Sequence, residues 1–226
     1  MKIFIDTANV DEITRYANYG FIDGVTTNPA LMATEKASAI DVIQEIVKIV
    51  DGPISVEVVS RDATRMVAEA RHLASLHENI VVKLPAIAAG FEALNVVAKL
   101  GIKVNFTMIY TANQALLAAK LGAAYVSPFV GRLDANTTGG PELITEIVTI
   151  FDNYGFETQV LAASMRTALY VKYAALAGAH AATIPPEVLK QMLESEMTQM
   201  ALDGFLELWE TLPEESKASL FDGVEE

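Results

Sequence analysis

Short apolar runs alternate with segments of helical period from one end of the chain to the other. The apolar runs predict strands at Lys2 to Asp6, Ile22 to Thr27, Ile54 to Val59, Ile80 to Leu84, Lys103 to Thr107, Ala123 to Ser127, Thr158 to Ala162 and Ala179 to Ile184. Between them, amphipathic patterns predict helices at Val10 to Asn18, Ala39 to Val50, Ala63 to Ser75, Ala88 to Leu100, Ala112 to Leu121, Pro141 to Tyr154, Thr167 to Ala177 and Pro186 to Leu193, with Asn9 as the cap of the first. Gly20, Gly101, Gly122, Gly155 and Gly178 each stand just before a strand, a repeated helix-stop signal. Eight such units of about 28 residues predict an α/β fold, a closed (β/α)8 TIM barrel at the compact end of its size range. A doubly wound open sheet is the alternative. Asp6-Thr-Ala-Asn9 follows the first strand where that fold would carry a glycine-rich phosphate turn, so no dinucleotide fingerprint is present. One further amphipathic helix at Glu196 to Trp209 completes a single domain over residues 1–212, and residues 213–226 read as an acidic tail with little to pack, expected to fray.

Within the fourth strand, Asn79-Ile-Val-Val-Lys-Leu-Pro85, a lysine interrupts a run that reads as buried on both faces. Desolvating an ammonium costs several kcal/mol unless it is paired or gives up its proton, so a buried Lys83 is expected to have a lowered pKa and to serve as an amine nucleophile. The alternative is a strand-end lysine that snorkels to water. Barrel chemistry lies where strands end, and the other strand ends weigh between the two. They hold Asp6, Thr26, Thr27, Asn28, Glu57, Asn105, Thr107, Ser127, Phe129, Arg132, Ser164, Arg166 and Thr183. Alternation along a strand sets Asn105 with Thr107, and Lys83 with Val81, on common faces. Simpler readings exist singly: Asp6 as a helix cap, Glu57 as a buried partner of Lys83, Arg132 bridging Asp134, and Asn28-Pro29 as a turn. Together, a lysine, two carboxylates, two arginines and several hydroxyls and amides at strand ends point to a polar site at the barrel mouth.

Composition narrows the chemistry. The chain has 226 residues, 52% of them hydrophobic, a formal net charge of −13 and no cysteine. A charge of that sign disfavours nucleic acid and anionic membranes as partners, while a few local arginines can still hold a small anion. Disulfides and thiolate metal sites are excluded, and His72, His77 and His180 lack metal-ligand spacing, so neither metal nor cofactor is expected. The start MKIFIDTAN lacks the apolar core of a signal peptide and no 18-residue apolar run occurs, so a soluble, cytoplasmic protein is expected.

The motifs IDTAN at 5 to 9, DGVTTNP at 23 to 29, VEV at 56 to 58, IVVKLP at 80 to 85, ANQALLAAKLGAAYVSPFVGRLD at 112 to 134 and LAAS at 161 to 164 resemble those of the small single-barrel class-I transaldolases, a branch of the transaldolase and fructose-6-phosphate aldolase family. The likeness covers about residues 1 to 210. It implies that Lys83 forms a Schiff base with a ketose donor, that Asp6 is the acid/base near the donor hydroxyls, and that Glu57 and Thr107 hold a water that shuttles protons. It further implies that Thr27, Asn28, Asn105, Ser127 and Phe129 line the substrate site, with Arg132, Ser164 and Arg166 on its phosphate. The implied reaction moves a dihydroxyacetone unit from fructose 6-phosphate or sedoheptulose 7-phosphate to glyceraldehyde 3-phosphate or erythrose 4-phosphate, in the pentose phosphate pathway. The partners implied are sugar phosphates and copies of the chain itself, in a homo-oligomer of five or ten; the stripe Met197, Met200, Ala201, Phe205, Leu208 and Trp209 fits such contacts and equally fits packing on its own barrel.

Two positions separate the branches of the family. Aldolase members resemble this chain but carry glutamine at the position of Glu57 and tyrosine at that of Phe129, so both residues here favour transaldolase over release of free dihydroxyacetone. The aldolase remains the alternative, and a sugar-phosphate binder without chemistry is a third reading. The sequence departs from the family pattern at Ala30, Met32, Ala86 to Ala89, Met165 and Asn136 to Gly140, which bears on rate, acceptor preference and loop closure.

Overall fold

The computed structural model describes residues 1–134 and 139–220, apart from the side chains of residues 133, 134, 219 and 220. Eight parallel strands close into one barrel in sequence order. They are β1 (Lys2–Asp6), β2 (Gly24–Thr26), β3 (Ile54–Glu57), β4 (Ile80–Pro85), β5 (Val104–Ile109), β6 (Tyr125–Pro128), β7 (Gln159–Ala162) and β8 (Ala181–Ile184). The helices are α1 (Val10–Ala17), α2 (Pro29–Met32), α3 (Ala39–Ile49), α4 (Ala63–Ala74), α5 (Ala88–Lys99), α6 (Ala112–Lys120), α7 (Val130–Asp134), α8 (Gly140–Tyr154), α9 (Ala168–Leu176), α10 (Pro186–Leu193), α11 (Glu196–Glu210) and α12 (Glu214–Leu220). The expected (β/α)8 barrel is therefore the fold, and the open sheet is set aside.

Met1–Leu189 form one compact unit, which contains the whole barrel, and Lys190–Glu226 a second. The boundary expected from the sequence falls later, at residue 212. Glu214–Leu220 in the expected tail form α12, and residues 221–226 lie outside the described residues. α11 has no buried residue, and Met197, Met200, Phe205 and Leu208 on it are exposed. Among the described residues no helix is long and apolar enough to cross a membrane.

Local chemistry sets the element ends. Asn9 accepts from the Glu12 N–H at 2.9 Å and starts α1, so it, and not Asp6, is the cap. Asn28 is more than a turn residue: its Oδ1 accepts from the N–H groups of Ala30 and Leu31, and Pro29 occupies the first position of α2. That one-turn helix, and α7, escaped the sequence reading because four or five residues carry no helical period. At the far end of α8, Gly155 takes φ 63° and its N–H returns to the Asp152 carbonyl, a left-handed stop that recurs at the four other expected glycines.

Alternation sorts each strand into two faces. Ile5, Val25, Ile54, Val56, Ile80, Val82, Leu84, Val104, Phe106, Val126, Val160, Ala162, Ala182 and Ile184 belong to the main core beneath the helices. Phe4, Val81, Tyr125, Leu161 and Ala181 make a separate apolar cluster, the floor of the barrel interior. Phe4 and Tyr125 meet edge to face with centroids 6.0 Å apart. Gly24 makes room for that floor, since a Cβ there would stand 2.8 Å from the Phe4 ring. Two residues further along these strands come Asp6, Thr26, Lys83, Ser127, Ala163 and Thr183, so the same period that buries the floor turns a polar layer inward above it.

Candidate active site

The polar layer rings a cavity of about 140 Å³ at the C-terminal mouth, lined by Asp6, Thr26, Asn28, Lys83, Asn105, Thr107, Ser127, Phe129, Arg132, Ala163, Ser164 and Thr183. Nine of the twelve sequence-predicted site residues are thereby brought together. The other three do not line it: Thr27 and Glu57 contact Lys83, and Arg166 runs beside Gly131. Thr27 donates its hydroxyl to the Ser55 carbonyl at 2.9 Å and its own carbonyl accepts from Lys83, so of the two adjacent threonines it is Thr26 that lines the cavity.

Lys83 is 6% exposed and does not snorkel. Its Nζ donates to the Thr27 carbonyl at 2.9 Å and lies 3.2 Å from Oε2 of Glu57, whose side chain is 11% exposed. Glu57 and Lys83 are register partners on β3 and β4, so the sheet itself places the pair. Burying both charges costs several kcal/mol each, and only close pairing offsets it. The arrangement lets a proton pass directly between amine and carboxylate.

Asp6 accepts from the Thr26 hydroxyl at 2.6 Å, and Thr26 in turn lies 2.6 Å from the Thr183 hydroxyl. Burial pushes the Asp6 carboxyl above its ordinary range, the charge of Glu187 adds to this, and the Thr26 hydrogen bond and the charge of Lys83 oppose it. On the other wall, Ser127 donates to Asn105 Oδ1 at 2.7 Å and Asn105 Nδ2 donates to Ser55 Oγ at 3.1 Å. Ser55 was missed by the sequence reading, although its position two residues before Glu57 on β3 was the signal that could have found it. Thr107 Oγ1 is the exception: among the described residues it is the one buried side-chain polar atom without a hydrogen-bond partner. Such an atom costs free energy unless something from outside the protein meets it.

The third wall is built by close backbone approach. Phe129 pairs with Ala163, the Val130 N–H donates to the Ala163 carbonyl at 3.1 Å, and a Cβ on Gly131 would fall 2.1 Å from the Ser164 carbonyl oxygen. Ser164 itself holds φ 62°, a left-handed conformation that a side chain disfavours. The Arg132 guanidinium lies 5.6 Å from the centre of the Phe129 ring, and the Arg166 stem runs beside Gly131. Both arginines are exposed at the rim. The pairing of Arg132 with Asp134 falls on a side chain outside the described ones, and the loop departure at 136–140 falls largely on residues outside them.

A parallel eight-stranded barrel with a buried lysine–carboxylate pair, a second carboxylate and two rim arginines at its C-terminal mouth defines a class of protein, the lysine-centred (β/α)8 barrels. The family model for Transaldolase/Fructose-6-phosphate aldolase matches residues 3–222, and the chain belongs to that family of enzymes. Proteins named probable transaldolase in Thermoanaerobacter sp. (strain X514) and Hydrogenobaculum sp. (strain Y04AAS1) are 54% and 50% identical, over 92% and 94% of this chain and 97% and 98% of theirs. Another in Caldicellulosiruptor saccharolyticus is 51% identical over 96% of this chain and all of its own. Among solved structures, the carboxyl transferase domain of Rhizobium etli pyruvate carboxylase with 3-bromopyruvate matches with TM-score 0.61 at 11% identity, covering 82% of this chain and 39% of that chain. A mandelate oxidase variant with an FMN adduct matches with TM-score 0.59 at 16% identity, covering 82% and 65%. This chain spans less than two thirds of the length of either, and at such identity they show the fold alone.

Proposed function

We propose that this enzyme is a transaldolase that carries a dihydroxyacetone unit on Lys83 from fructose 6-phosphate or sedoheptulose 7-phosphate to glyceraldehyde 3-phosphate or erythrose 4-phosphate. The observation that carries the reading is the buried Lys83 Nζ, 3.2 Å from Glu57 and facing the same cavity as Asp6. Transfer of one proton from Nζ to Glu57 frees the lone pair, which attacks the ketose C2 carbonyl; water leaves and a protonated imine forms. Asp6 takes the C4 hydroxyl proton as the bond between C3 and C4 breaks, its electrons pass toward the imine nitrogen, and an aldose phosphate departs. The enamine left behind attacks the carbonyl carbon of the second aldehyde while Asp6 returns the proton to its oxygen. Water at the unpartnered Thr107 hydroxyl then hydrolyses the new imine. The Asn105 and Ser127 groups hold the three-carbon unit, and Arg132, Ser164 and Arg166 receive the phosphate at the rim.

Two residues support transfer over release. Glu57 is ionisable where an amide would not be, and the Phe129 ring in the cavity wall has no hydroxyl to protonate the enamine. The test is borohydride added with fructose 6-phosphate. A dihydroxyacetone adduct is expected on the Lys83 peptide, and an unlabelled Lys83 ends the proposal. Product analysis with and without an aldose acceptor separates transfer from cleavage, since rapid multiple turnover on fructose 6-phosphate alone would favour the aldolase. The same reading includes assembly into a pentamer or decamer in the cytoplasm, supported by the exposed apolar residues of α11; sizing in solution checks the assembly.

A further inference from the structure

Thr183 belongs to the cavity wall, yet neither the motifs nor the mechanism above gives it a task. It is the penultimate residue of β8, which flanks β1 on one side, while Thr26 ends β2 on the other, and alternation turns both side chains inward beside Asp6. Both are buried, at 3% and 2% exposure.

The hydrogen-bond directions follow from counting protons. Thr26 Oγ1 carries one, and it stands 2.6 Å from both Asp6 Oδ1 and Thr183 Oγ1. An ionised Asp6 offers acceptors alone, so Thr26 must give its proton to the carboxylate. The Thr26–Thr183 contact then exists only if Thr183 donates to Thr26. Each hydroxyl polarises the next: the Thr183 proton points at Thr26 Oγ1 and the Thr26 proton at Asp6 Oδ1. Oδ2 is left to take the substrate proton, and Thr183 shows the cavity a lone pair, an acceptor for a sugar hydroxyl.

We propose that Thr183 is a positioning residue for Asp6, acting through Thr26: its hydroxyl fixes the direction of the Thr26 hydrogen bond and so holds Asp6 in the ionised, proton-accepting form. The inference rests on the role given to Asp6 above. Lys83 and Glu187 are the charged groups that act on Asp6, and neither changes in the variants used to test it.

The test compares Thr183→Val, of equal shape without the hydroxyl, with Thr183→Ser, which keeps it. Loss of the donor chain disfavours the carboxylate, so the acid limb of the kcat/KM profile in T183V should move to higher pH by roughly half a unit, about a threefold loss of activity on that limb. T183S should restore the wild-type limb. The carboxyl 13C signal of Asp6, titrated by NMR in the same proteins, should move in the same direction, and that readout needs no turnover. T183A replaces T183V if the valine protein melts below the wild type. An Asp6 titration and acid limb unmoved in the variant lacking the hydroxyl, or moved equally in T183S, overturns the inference. Absence of a borohydride adduct on wild-type Lys83 would instead overturn the transaldolase reading, so the two failures are distinguishable.

Discussion

Replacing Gly131 with alanine probes the phosphate rim through the backbone rather than through a charged group. The new Cβ would meet the Ser164 carbonyl oxygen at 2.1 Å, with the Arg166 Cγ and Cδ at 3.1 and 3.3 Å. Ordinary contact between such atoms begins near about 3.5 Å, so Ser164 and the Val130–Arg132 segment must separate by about 1 Å or more. Ser164 cannot yield by a simple backbone turn, because it already sits at φ 62° and is followed by the buried Met165. The displacement therefore falls on Ser164, Arg132 and Arg166, while Lys83, Asp6 and Glu57 sit on other strands. Misplacement of this size in substrate-positioning groups can cost about 100-fold. We expect kcat/KM for fructose 6-phosphate to fall by one to two orders of magnitude, mainly through KM, with the Lys83 adduct still formed at high ketose concentration. Dihydroxyacetone, which has no phosphate, should form its adduct as readily as in the wild type. Steady-state kinetics with the phosphorylated donor, borohydride trapping with both compounds and a thermal melt decide it. A wild-type KM, or equal losses for the two compounds, would refute the assignment of this rim to the phosphate.

Three other perturbations have defined outcomes. Lys83→Met should lower sugar exchange by three orders of magnitude or more, the scale of losing a nucleophile, and should also lower the melting temperature because Glu57 is left buried without its cation. For Asp6→Asn, the sign follows from a carboxyl whose pKa is raised, first by burial, above the ordinary 3.8. The folded state keeps that proton to higher pH than the unfolded chain, so the stabilising contribution is full below the unfolded value and is lost as pH rises through the folded one. At neutral pH D6N should therefore melt higher than the wild type, with the gain vanishing below about pH 4 and activity lost. Denaturation curves at both pH values check it, and a lower D6N stability at pH 7 counts against the burial argument. Thr107→Val removes a hydroxyl that has no partner, so stability should hold or rise by up to about 1 kcal/mol while turnover falls about 10- to 100-fold; a clear destabilisation would mean that the hydroxyl is satisfied within the protein.

Much of this site was legible in the sequence for a mechanical reason. A closed parallel barrel buries both faces of each strand, so a lysine within Ile80 to Pro85 or an asparagine at residue 105 cannot be an ordinary surface residue, and strand-end position plus period 2 suffices to gather nine of the twelve candidates. The same rule, applied with the β2 register in hand, separates Thr26 from Thr27: adjacent residues on a strand face opposite ways, and the register Asp6↔Thr26 assigns the inward one. Without that register the two threonines are equivalent on paper, since the strand was expected over Ile22 to Thr27 and forms only over Gly24–Thr26.

What the pattern could not carry was contact between chain segments distant in sequence. Nothing local to Gly131 announces that the Ser164 carbonyl lies against it, nor does Val104 to Ile109 signal the register shift between Thr107 and Ile109, where Met108 takes φ 60°. The threonine chain is of the same kind, joining β8 to β2 across β1 over 157 residues of sequence. Such contacts decide which atoms of a polar layer are spent inside the protein and which remain for a ligand. Asn105 and Ser127 spend an acceptor and a donor on each other, Thr26 spends its single proton on Asp6, and Thr107 spends nothing. A list of polar residues at strand ends describes where chemistry is located; the direction of each hydrogen bond, available only from the folded geometry, limits what each group can still offer a substrate.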